Sequence, residues 1–358
     1  VQPEARHLFS RTYAEARQKF LQAAASRGLS VDSHELPLAG ADGELLATDV
    51  VLDGPADASK LVIVISGVHG VEGYCGSAVQ TGLLGLGPVT EPDTAVLYVH
   101  AVNPHGFSHS RRETQENVDL NRNFIDFSAA MPVNGPYAAI HELLLPRQWP
   151  PTDDNELALF EVRREWGPKG FQRAVALGQY EFDDGMHFGG RGPTWSNATF
   201  HKILQRYGRH CQHLGSIDIH TGLGPYSVGE RIFACLDEGV SLERARRWWG
   251  DVTSVHAGTS NSIPMTGPIQ FALFDECSQA VQTNLCLEFG TYPTSQVIGA
   301  SRAEHWLHRH GSSDPLQAAA IRQSLKDAFY PQADDWQQAI WQQGREVFQQ
   351  TVSGLQED

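Results

Sequence analysis

Cysteine is scarce in this chain: five residues (Cys75, Cys211, Cys235, Cys277 and Cys286) in 358, with no C-x-x-C pair. An odd, scattered set in a chain this long excludes a disulfide framework and reads as reduced, mostly buried thiols. Basic residues are also in deficit, with 27 Lys+Arg against 42 Asp+Glu and a formal net charge of −15. A nucleic-acid partner needs a basic face to neutralise phosphate, and none is legible. No apolar run approaches the roughly 18 residues of a membrane span, and residues 1–20 carry charges throughout, without the apolar stretch of a secretory signal. The expectation is a cytoplasmic protein with no membrane and no nucleic-acid partner. What the chain does have is 41% hydrophobic and 19% charged residues, enough to bury a core and exclude general disorder.

The apolar runs have the character of strands buried on both faces. Leu61–Ile65 (LVIVI) is short, β-branched and ends in Ser-Gly, and comparable runs follow at 95–102, 216–219, 231–236 and 285–289. Between the first two, residues 73–86 are rich in Ala, Leu and small residues and suit a crossover helix, so the architecture reads as α/β. Phe9, Tyr13, Ala16 and Phe20 recur at helical spacing near the start. Trp336, Ile340, Trp341, Val347 and Phe348 do so near the end, where 303–310, 315–329 and 334–352 all read as helical. Residues 136–213 are helical and irregular, with Pro, Gly and Trp punctuation. Because strands resume at Ser216, this segment reads as an insertion in one domain spanning 1–358.

Chemistry collects where these strands end. After LVIVIS comes G-V-H-G-V-E, with His69 and Glu72; after 95–102 come Asn103-Pro104-His105, Arg111-Arg112 and the run Asp119-Leu120-Asn121-Arg122-Asn123. The strand SIDI leads directly into His220, and Glu288 lies near the end of LCLEF. Ligands of open α/β sheets bind beyond the carboxyl ends of strands. His69 and Glu72 in a glycine-bounded turn, joined by His220, offer three donors suited to a catalytic zinc ion with one open position.

In combination, GVHGVEG, NPHGF, R-R-x(6)-DLNRNF, DIHTG and LEFGT, in order from residue 67 to 291, resemble the zinc carboxypeptidase superfamily and its aspartoacylase and succinylglutamate desuccinylase relatives. The chain as a whole is most similar to a mainly bacterial branch of that superfamily. The resemblance implies a mixed, largely parallel sheet of about eight strands sandwiched by helices. It implies one Zn²⁺ held by His69, Glu72 and His220, with Glu288 as the base that takes the proton of the attacking water and passes it to the leaving amine. Arg112 corresponds to the arginine that polarises the scissile carbonyl, with Arg111 the adjacent alternative. Asn121 and Arg122 correspond to the pair that holds the substrate carboxylate, and Asp119 to the acid that accepts the far N–H of the first zinc histidine. The implied substrate is a small peptide or an acyl-amino acid.

One departure stands out: the region matching the family's mobile tyrosine, Gly258–Leu273, contains no tyrosine, and no pattern assigns Tyr226 or Tyr292 in its place. The segment Asp183–Asn197 is a candidate lid, pocket wall or purely structural loop, with His187 and Arg191 as candidate site residues. Three activities are open: a metallocarboxypeptidase, an N-acyl-amino-acid deacylase, or a non-catalytic protein that binds peptide C-termini. A serine hydrolase is disfavoured because the chain lacks a G-x-S-x-G elbow.

Overall fold

A computed structural model describes residues 5–236 and 239–357. Its centre is a seven-stranded sheet built from Val31–Ala39 (β1), Leu45–Asp53 (β2), Lys60–Ser66 (β3), Thr94–His100 (β4), His213–Gly222 (β5), Gly229–Phe233 (β6) and Val281–Gly290 (β7). The spatial order is β1-β2-β4-β3-β5-β7-β6. The four inner strands β4, β3, β5 and β7 run parallel, while β2, β1 and β6 add antiparallel edges. The described sheet thus has seven strands where about eight were expected, and its parallel character is confined to the centre.

The LVIVI run owes its continuous apolarity to cover on both faces. Val62 and Val64 join one core with Tyr98, Ile217 and Leu285; Leu61, Ile63 and Ile65 join the other with Leu97 and Leu214. Helices Tyr13–Ser26 (α1), Gly73–Gly85 (α2), Pro104–Ser108 (α3), Gly135–Leu144 (α4), Asp153–Ala176 (α5), Trp195–Tyr207 (α6), Val240–Trp249 (α7), Gln270–Glu276 (α8), Thr294–His310 (α9), Pro315–Phe329 (α10) and Asp334–Glu357 (α11) complete the chain. The first core is closed by α1, α2, α7 and α11, and the second by α6 and α8. The α1 stripe buries Tyr13, Ala16, Phe20 and Ala24, and Thr12 caps its first turn.

Strands β1 and β2 gave no signal in the sequence. The first is an outer edge that pairs only with β2, exposes most of its residues and shifts register around Pro37. Edge strands tolerate charge and proline, so they lack the β-branched run that marks a central strand. Residues 136–213 contain α4, α5 and α6. The first two pack with Met186 against Trp306 and Leu307 of α9 and Ile321 of α10, in an apolar cluster apart from the sheet. The five cysteines are free, four of them buried. No helix among the described residues is long and apolar enough to cross a membrane.

Candidate metal centre and active site

Strand β3 has β4 on one side and β5 on the other, so the chain order reverses there and a crevice opens beyond the ends of β3 and β5. His69 follows β3 and His220 lies two residues before the end of β5. Gly67, with φ of 64°, turns the chain out of the sheet in the left-handed region. Gly70 begins a short 3₁₀ turn to Glu72, and a Cβ there would meet the Gly106 carbonyl carbon at 2.0 Å. The turn is fastened by backbone bonds from Gly70 N to the Arg112 carbonyl (3.1 Å) and from Val71 N to the Arg111 carbonyl (2.7 Å). The histidine turn and the arginine loop are therefore one unit.

Both imidazoles point Nδ1 at the Glu72 carboxylate. His69 Nδ1 lies 2.9 Å from Oε1 and His220 Nδ1 lies 2.8 Å from Oε2, and the donor atoms of the three buried residues fall within 4.8 Å of one another. Each far nitrogen meets another buried carboxylate: His69 Nε2 lies 3.0 Å from Asp119 Oδ1, and His220 Nε2 lies 2.8 Å from Asp218 Oδ2. At His220 the carboxylate favours a hydrogen on Nε2 and a bare Nδ1, the tautomer that a metal needs, whereas His69 Nε2 lies between the Asp119 carboxylate and Arg112 Nη2. His69 Nδ1 is buried without a hydrogen-bond partner. Two nitrogens, one of them buried without a hydrogen-bond partner, and one carboxylate fit a zinc ion. Although burial would raise it, the two imidazoles hold Glu72 far below the usual carboxylate range. Burial likewise opposes His220's charge, yet Asp218 and Glu72 carry its pKa well above the ordinary value.

Asp218 was not singled out from sequence, although a signal existed. Ser216, Asp218 and His220 alternate with Ile217 and Ile219, which enter the apolar core, so the three polar residues share the opposite face. Across the register, His220 pairs with Glu288 and Asp218 with Cys286. Glu288 therefore stands beside the second histidine, with Oε1 accepting from Leu223 N at 2.9 Å. Withdrawal from water, then the Glu72 charge, push Glu288 up to about 7.

Neighbouring Arg111 and Arg112 point apart. Arg112 Nη1 donates to Asp119 Oδ2 (2.6 Å) and Nη2 lies 2.8 Å from His69 Nε2, whereas Arg111 turns to Glu304 and Asn117. Asp119 is a hub: beyond Arg112 and His69 it also receives Asn121 N, Arg122 Nη1 (3.2 Å) and His187 Nδ1 (3.0 Å). Burial opposes its charge, but the two guanidiniums and His69 hold Asp119 well below the ordinary range. Asn121 Oδ1 accepts from Ile269 N, leaving its Nδ2 without a partner among the described residues. Arg122 is turned inward: Nε and Nη2 both reach the Ala176 carbonyl, and the side chain is 2% exposed. Of the other candidates, Arg191 lies on the surface near Asp183, Tyr226 is exposed with its hydroxyl on Asp335, and Tyr292 packs against the apolar cluster that contains Val71 and Phe329. The 183–197 segment forms a fixed wall, since Asn117, Asp119 N and Asn123 all bond its carbonyls.

Behind Arg112 lies a second buried group that sequence reasoning missed: Glu113, Glu304 and His305. Its charges alternate with arginine, so it reads as an ion network. His305 Nδ1 donates to the Ser301 carbonyl and Nε2 lies 3.3 Å from Glu113 Oε1, which calls for an imidazolium. Burial opposes that charge, yet Glu113 raises the His305 pKa; burial opposes the Glu113 carboxylate too, yet His305 and the arginines lower its pKa. Removing one partner of a buried ion pair costs about 3–5 kcal/mol, so His305→Gln is expected to lower the thermal midpoint markedly. His305 is raised on folding, so its contribution is full below its unfolded value and lost as pH rises through the folded one. Glu113 is lowered, so its share is present above its unfolded value and lost as pH falls through the folded one. The midpoint difference between wild type and His305→Gln should therefore shrink towards alkaline pH, as calorimetry across pH will register.

Residues 9–343 match the model of a family described as a protein of unknown function, DUF2817. The chain belongs to the DUF2817 family. No curated protein matches it. Among solved structures, this DUF2817 chain is similar to carboxypeptidase A from Helicoverpa armigera (12% identity, TM-score 0.45, covering 89% of this chain and 74% of that one). It is also similar to the succinylglutamate desuccinylase from Chromobacterium violaceum (14%, 0.36, 88% and 74%). A third likeness is to an aspartoacylase family protein from Mesorhizobium loti (13%, 0.39, 79% and 67%).

Proposed function

We propose that this DUF2817 protein is a zinc-dependent hydrolase that cleaves an amide bond next to a free carboxylate, in small peptides or acyl-amino acids. The observation that carries this reading is the meeting of His69, Glu72 and His220 at one point, with Glu288 opposite His220 on the next strand. One zinc ion on those three residues would supply a Lewis acid for the carbonyl and lower the pKa of water. Glu288 takes the proton of the attacking water and returns it to the leaving nitrogen. A carboxyl group poised near neutrality can do both. Arg112, braced on Asp119, offers its guanidinium to the charge that develops on the carbonyl oxygen. The substrate carboxylate falls to the free amide of Asn121 and to Arg122, which exchanges the Ala176 carbonyl for the ligand. With no tyrosine in 258–273, the proton traffic rests on Glu288.

Purified wild-type protein is expected to hold about one zinc per chain, and His69→Ala only a small fraction of that by elemental analysis. Full retention would remove His69 from the ligand set. A screen of dipeptides and N-acyl amino acids, with chelator controls, tests the activity itself. Zinc-loaded protein that binds these compounds and cleaves none would turn the reading to a peptide-end-binding protein.

A further inference from the structure

The 183–197 wall carries one side chain that the proposed chemistry leaves unused. His187 has φ of 52°, in the left-handed region that a non-glycine residue keeps only where its surroundings over-determine it. They do so here. The His187 carbonyl accepts from Gln179 N (3.1 Å), the Phe188 carbonyl accepts from Asp119 N (2.8 Å), and Met186 N donates to the Tyr137 hydroxyl (2.7 Å). That backbone sets one imidazole against Asp119 and Arg112. Nδ1 lies 3.0 Å from Asp119 Oδ2 and 3.5 Å from Arg112 Nη1. The shorter, charge-assisted contact is with a group that only accepts, so Nδ1 carries the hydrogen and Nε2 is the bare nitrogen. Burial first, and then the charges of Arg112 and Arg122 against the pull of Asp119, bring His187 down to about 4, so it stays neutral.

No described residue hydrogen-bonds Nε2, and the nitrogen is not among the sealed, partnerless atoms; 14% of the side chain remains open. A tethered acceptor that stays partly open takes its hydrogen from water or from a bound ligand. Nδ1 of the same ring lies 3.5 Å from Nη1 of Arg112, the residue assigned to the scissile carbonyl, so a substrate held by Arg112 brings its donors to this imidazole. The substrate has two there: the scissile N–H, which Glu288 serves, and an amino group on the acyl side. We infer that His187 is a substrate-contacting residue whose Nε2 accepts a hydrogen bond from an amino group next to the scissile carbonyl, which makes the substrates aminoacyl compounds rather than simple acyl-amino acids. This rests on the hydrolase reading and narrows its substrate class.

The test uses full-length, zinc-loaded protein carrying Glu288→Gln, so that neither probe is consumed, labelled with ¹⁵N-histidine. His187→Asn identifies the resonance, and Asn is, after glycine, among the residues that best tolerate left-handed backbone. The expected spectrum shows hydrogen on Nδ1 and a bare Nε2 that shifts on adding glycyl-leucine and much less with acetyl-leucine, which lacks the amino group. In otherwise wild-type enzyme, His187→Asn should lower the ratio of kcat/KM for glycyl-leucine over acetyl-leucine by about tenfold, chiefly through KM. Hydrogen on Nε2, or a resonance that responds equally to both probes or to neither, overturns the inference. Loss of zinc binding in the unaltered protein would sink the hydrolase reading instead. With zinc bound and turnover dependent on Glu288, a silent His187 sinks only this step.

Discussion

Glu288→Gln is expected to lower turnover on any cleaved substrate by roughly 10²- to 10⁴-fold, the usual contribution of a positioned acid-base group. The amide keeps the shape of the carboxyl group and can still accept from Leu223 N, so the end of β7 should remain folded. What it loses is the ability to take and return a proton. Zinc content should stay at the wild-type value, because Glu288 stands across from His220 without belonging to the cluster of donor atoms. Metal analysis and kinetics on the same preparation separate these two effects. Near-normal turnover would remove Glu288 as the base. Loss of zinc along with activity would make it a ligand or a structural group.

Asp119→Asn should damage the molecule in a different way. Its carboxylate is wholly buried and faces Arg112, Arg122, His187 and His69 together. An amide offers one acceptor oxygen and no charge, so Arg122 loses its one described ion pair and Arg112 keeps only its longer contacts to Glu113 (3.4 Å) and Glu72 (3.7 Å). Breaking buried pairs of this kind costs about 3–5 kcal/mol. The denaturant midpoint should fall accordingly with little change in slope. Metal affinity should also fall by about 10- to 100-fold, because the carboxylate that orients His69 through its Nε2 and braces Arg112 has weakened. Asp218→Asn is the informative comparison. Asp218 meets His220 and Gln270 and no arginine among its described hydrogen bonds, so it should weaken zinc binding with a smaller stability loss. Equal stability losses in the two variants would contradict the hub role of Asp119.

The two classes of residue differed in how visible they were in the sequence. The central strands were readable because cover on both faces demands continuous β-branched runs, as in LVIVI, and α11 because its buried Trp336, Ile340 and Val347 follow helical spacing. The outer strand β1 was not readable, since an edge strand can expose charge and carry Pro37. Strand β2, although buried between β1 and β4, has its apolar run broken by Thr48 and Asp49. In the site, His69, Glu72, His220 and Glu288 announced themselves as polar residues at the ends of apolar strands. Asp218 was within reach through the period-two alternation of SIDIH. Glu113 and His305 were not, because 192 positions separate them and nothing local marks either as a partner of the other.

Composition and pattern were thus sufficient for the α/β class and for naming His69, Glu72 and His220, whose donor atoms the fold brings within 4.8 Å, because burial on a sheet imposes a local periodicity on the chain. Direction was beyond them. That Arg112 faces His69 while Arg111 faces Glu304, that Arg122 turns to the Ala176 carbonyl, and that His187 arrives at Asp119 from a distant wall all follow from packing. A side chain's orientation is settled by which charges and carbonyls the fold brings within hydrogen-bond reach, and that is a long-range property no short stretch of sequence contains.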